Sequence, residues 1–186
     1  MTMWRGVAGF SLAELLVSLC VLSLALAGVF SILRGAMTAY GWGAGRLEAQ
    51  QSARQALERM VSELREAGLD PRGAGVEPVV AAGPRLVTFQ RDLNGNGLID
   101  TTRERVTFLL RPGETVLRRD AGGGAQPIIN GVRRFQLDYR DEAGAPTADP
   151  TRVASVRIQL EVGLTAPTAA MQTEVSIRNR RARRLF

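Results

Sequence analysis

Apolar and polar residues change their spacing twice along this chain. From Phe10 to Leu33 nearly every side chain is apolar or small, and the only formally charged one is Glu14. Such a run is long enough for a bilayer core, which takes about 20 helical residues. Farther on, Ala53, Ala56, Leu57, Met60, Val61, Leu64 and Ala67 recur at three- and four-residue intervals, with Arg54, Glu58, Arg59, Glu63 and Arg65 largely on the other side. That is the period of an amphipathic helix, whose apolar stripe is expected to pack on a sheet. The first proline after the run is Pro71, so nothing forbids one helix from Phe10 to about Ala67. The interval Gly41-Trp42-Gly43-Ala44-Gly45 is its weak point, because each glycine costs about 1 kcal/mol relative to alanine in a helix interior. A bend or a locally melted turn at the membrane surface is expected there, with Tyr40 and Trp42 as interfacial anchors, or else a loop that ends the membrane helix.

Gly68-Leu69-Asp70-Pro71 stops the helix, and after a Gly/Pro-rich linker the period becomes two. Residues 85–91, 103–110, 115–119, 132–140, 153–162 and 173–178 read as strands; in 132–140, for example, Phe135, Leu137 and Tyr139 alternate with Gln136 and Asp138. Pro112-Gly113, Gly122-Gly123-Gly124 and the stretches 141–150 and 163–167 supply the turns. The fold class is therefore α+β: a long N-terminal helix packed on a mostly antiparallel sheet.

Glu14 changes the picture of the apolar run. A charge at mid-bilayer costs about 2.5–3.5 kcal/mol even on the lenient insertion scale, so such residues usually meet a partner and mark function. Two plainer readings compete. In one, Leu15 to Leu24 is the apolar segment of a secretory signal, with Ala25-Leu26-Ala27 ahead of Gly28 as the small-residue cleavage pattern. In the other, the run is a generic anchor with no special residue at Glu14.

Composition narrows the chemistry. Among 186 residues there is no histidine, and all 24 basic residues are arginine, so His-based catalysis, a lysine nucleophile and a His-ligated zinc site are excluded. No enzymatic activity is expected. The single cysteine, Cys20, lies in the apolar run, which rules out an intrachain disulfide.

The leading residues, with Gly9 before Phe10 and Glu14 fifth from Phe10, resemble the class III signal of type IV pilins and type II secretion pseudopilins. That resemblance implies that a prepilin peptidase cuts after Gly9 and methylates the amine of Phe10, and that Glu14 is the assembly carboxylate. At a rise of about 1.5 Å per residue, Glu14 lies about 6 Å along a helix from the Phe10 amine. The amine of one subunit and the carboxylate of its neighbour can then neutralise one another in a medium that penalises each alone.

The layout also resembles PilW-like minor pilins and GspJ-like minor pseudopilins, through Gln51-Ser52-Ala53-Arg54 to Ala67-Gly68, Asn130-Gly131-Val132 to Tyr139, and Val175-Ser176-Ile177-Arg178-Asn179. It implies a pilin fold and a low-copy subunit that primes a type IV pilus and sits at or near its tip. Other minor subunits, the major subunit, the peptidase and inner-membrane lipid are the implied partners. The segments are then a cleaved leader at 1–9, a transmembrane assembly helix at 10–33, its amphipathic continuation at 34–67, a periplasmic sheet domain at 68–178 and a basic tail at 179–186. Arg5 on the cytoplasmic side obeys the positive-inside rule and gives a single-pass inner-membrane protein before assembly. A minor pseudopilin serving protein export and a DNA-binding subunit for DNA uptake are the alternatives.

Two further segments carry candidate chemistry. In Asp92-Leu93-Asn94-Gly95-Asn96-Gly97-Leu98-Ile99-Asp100, oxygen-bearing side chains alternate, glycine stands sixth, a backbone carbonyl (Leu98) seventh and an acid ninth, the spacing of a calcium loop. Arg103 occupies the twelfth place where a bidentate glutamate belongs, leaving Glu104 as a displaced substitute. The competing reading is a plain Asn-Gly hairpin turn. The second segment is the tail, where Arg178, Arg180, Arg181, Arg183 and Arg184 could attract lipid headgroups or DNA phosphate. No base-reading motif accompanies them, and a solvated or partner-docking tail is the expectation.

Overall fold

A computed structural model describes residues 10–163 and 168–179. The chain divides into two compact units, Met1–Ala44 and Gly45–Phe186. A single helix, α1 (Leu12–Arg65), contributes to both.

In the first unit the large apolar side chains of α1 are exposed, from Leu12 through Leu24 and Ile32 to Tyr40 and Trp42. The Gly41-to-Gly45 interval is helical, where a melted turn or a loop was the expectation. All three glycines lie outside the positive-φ region. Propagating an existing helix adds one hydrogen bond per residue fixed, and the flanking Leu, Ala, Arg, Glu and Gln are strong helix formers, which offsets the glycine cost.

The second unit is built on the last turns of α1. Ala53, Ala56, Leu57, Met60, Leu64 and, just past the helix, Ala67 are buried, so the periodic stripe is the face that packs. Around it lie two antiparallel sheets. The first has the order β1 (Val79–Gly83), β2 (Leu86–Gln90), β3 (Arg105–Leu110), β4 (Leu117–Asp120) and β5 (Gln126–Ile129), each strand pairing with the next in sequence. The second has the order β6 (Val132–Arg140), β7 (Ser155–Val162) and β8 (Ala169–Ser176), and a short 3-10 turn at Pro150–Arg152 precedes β7. One long apolar N-terminal helix packed on antiparallel sheets is an α+β arrangement.

Alternation decides which face of each strand is covered. Val87 and Phe89 face inward on β2, and Val106, Phe108 and Leu110 on β3; the Phe89 and Phe108 rings stack with centroids 6.1 Å apart. On the second sheet Phe135, Leu137, Tyr139, Val156, Ile158 and Leu160 join the same core, and β6 and β7 carry polar residues such as Gln136, Asp138, Arg157 and Gln159 in between. Tyr139 ties the sheets together: its hydroxyl lies 2.9 Å from the Gly83 carbonyl and 2.8 Å from the Leu86 carbonyl. Burial pushes its phenol up, against a smaller opposing pull from the Gly83 hydrogen bond.

Two strands were not read from the sequence. β1 lies in the stretch read as linker because Val79-Val80-Ala81-Ala82-Gly83 is short and does not alternate. β5 follows a glycine run and contains Pro127, a residue that cannot donate to a ladder. It is tolerated because β5 is an edge strand. In place of one expected sheet there are two, and β8 begins at Ala169, ahead of the expected 173, where alanines blur the alternation.

Candidate functional site

The N-terminal end of α1 is set by the helix start. The Ser11 carbonyl accepts the Leu15 amide at 3.1 Å, which places Glu14 in the first turn. Unsatisfied amides at a helix N-terminus favour a negative charge there. Ser18 Oγ donates to the Glu14 backbone carbonyl at 2.8 Å, so that hydroxyl engages the main chain and not the carboxylate. Among the described residues no hydrogen bond or ion pair reaches the Glu14 carboxylate. Phe10 is 72 % exposed just before the helix. Gly9, its expected processing partner, and Arg5 lie outside the described residues.

The loop between β2 and β3 is the second candidate. Asp92 is fully buried and Glu104 is 3 % exposed, and both hold the same stretch of backbone. Asp92 Oδ1 accepts the amides of Gly95 and Asn96 at 2.7 and 3.2 Å, and Oδ2 that of Gly97 at 2.8 Å. Glu104 Oε1 accepts those of Leu93 and Asn94 at 3.0 and 3.2 Å, and Oε2 that of Asp100 at 2.8 Å. Asn94 and Asn96 cap the amides two residues on, both at 2.8 Å. The displaced Glu104 therefore closes the loop that Asp92 opens. The side chains of Asn94, Asn96, Leu98 and Asp100 belong to exposed residues. Among the described residues no three acids, cysteines or histidines gather where they could hold a metal ion.

Neighbouring turns brace this loop. The Asp92 amide donates to the Leu69 carbonyl at 2.8 Å, and the Arg103 amide to Ala121 at 2.9 Å. Arg103, at the place where a calcium loop carries its glutamate, has φ 74°. That left-handed conformation is costly for a non-glycine residue and persists only where its surroundings hold it. Gly122 lies so close that a Cβ there would stand 2.4 Å from the Thr101 carbonyl oxygen.

An ion network beside the loop went unread in the sequence. Glu63 on α1 accepts from Arg119 Nε of β4 at 2.9 Å and from Arg59 at 3.1 Å, and lies 3.8 Å from Arg91. Arg91 also donates to Glu66. The signal for it was present: Leu117 and Arg119 alternate onto one face of β4, and an inward-facing arginine needs a buried acid opposite it. This network clamps the helix to the first sheet.

No protein-family model and no curated protein sequence matches the chain. Of the basic tail only Arg178 is described, and it is exposed; Arg180, Arg181, Arg183 and Arg184 lie outside the described residues.

Proposed function

We propose that this chain is a membrane-assembled structural subunit of the type IV pilin kind, a minor pilin that primes filament assembly at or near the tip and acts by binding, without turnover. The observation that carries the reading is Glu14, a carboxylate with no partner among the described residues, on the first half of α1, whose large apolar side chains face outward. In water that surface is unfavourable by about 25 cal/mol for each Å² of apolar area, so it calls for lipid or for the helices of other subunits. In either medium the carboxylate calls for a cation, and the free amine of a neighbouring subunit's Phe10 is of the right kind.

Glu14→Gln and Glu14→Ala chains should still insert into the inner membrane but enter the assembled filament at about one tenth of the normal level, equivalent to a loss of about 1.4 kcal/mol. Quantifying the subunit in purified filaments and in membranes checks this; normal incorporation of both variants overturns the reading. A deletion strain that keeps twitching but loses enzyme export would assign the same chemistry to a secretion pseudopilus.

A second reading concerns the loop at 92–104. Two buried carboxylates, Asp92 and Glu104, are met there by backbone amides and, among the described residues, by no cationic side chain. Calcium, which prefers flexible oxygen donors, would be held by these two acids with the side-chain oxygens of Asn94 and Asn96 and the Leu98 carbonyl as neutral donors. Its role would be that of a structural clip. Millimolar calcium should raise the melting temperature of the detergent-solubilised full chain, and Asp92→Asn should abolish the increment; an unchanged melting temperature in the parent chain rejects the clip.

A further inference from the structure

We draw no further inference here: the strongest candidate, the groove between α1 and β8 lined by Leu57, Val61 and Met171, carries nothing because nothing in the structure shows what covers it.

Discussion

Asp70 holds the turn that follows the long helix with a single carboxylate. Its Oδ1 accepts the Ala74 amide at 2.9 Å, and Oδ2 accepts those of Gly75 and Val76 at 2.7 and 3.2 Å. Desolvation works against its charge, but the backbone amides of residues 73–76 together outweigh it and hold the carboxyl below the usual range. A carboxyl whose pKa is lowered by folding adds stability that is complete above the unfolded value, near 3.9, and disappears as pH falls through the folded one. Asp70→Asn removes that contribution. The variant should therefore melt below the parent protein at pH 6, with the gap narrowing as pH falls below about 4; circular dichroism melts at several pH values check it. A gap that is constant with pH would show that the charge of Asp70 is not what stabilises the turn.

At the scale of elements, the decisive contact is between α1 and the first sheet. Glu63, with 13 % of its side chain exposed, meets Arg119, with 18 % exposed, through both carboxylate oxygens at 2.9 Å. Glu63→Gln leaves Arg119 and Arg91 part-buried with one acid fewer, and should cost about 1.5–3 kcal/mol in urea unfolding, the range for hydrogen bonds to charged groups. The apolar half of this contact was legible beforehand, because Ala53, Met60 and Leu64 repeat with the helical period and their burial follows from it. The strands β2, β3, β6 and β7 were legible for the same reason, since their alternation is strong. β1 and β5 were not: one is a run of small residues, the other carries a proline, and both are strands because a neighbouring strand pairs with them. In the candidate loop the sequence showed oxygen-bearing residues at alternate positions and Glu104 as a nearby acid. Its capture of the Leu93, Asn94 and Asp100 amides was not visible, because that depends on how Ala121 and Gly122 press on the loop from a turn far along the chain.

For the whole molecule, the two units differ in how much of their apolar surface is covered. The large apolar side chains of the first unit find no cover among the described residues, whereas the second unit buries a continuous core of its own from both sheets and the end of α1. A chain beginning at Leu47 should therefore fold and remain monomeric in plain buffer, and the full chain should need detergent. Sedimentation of both checks this. Aggregation of the shorter chain would mean that its core depends on residues ahead of Leu47.

The exposed indole of Trp42 has a practical corollary. The chain has two tryptophans, Trp4 and Trp42, and both precede Gly45. Intrinsic tryptophan fluorescence therefore arises from no residue of the sheets themselves. Instead, its emission maximum tracks how polar the surroundings of the first unit are, shifting to the blue as those side chains pass from water into an oily phase, while Tyr139, the only tyrosine after Gly45, must serve as the optical probe of the folded domain.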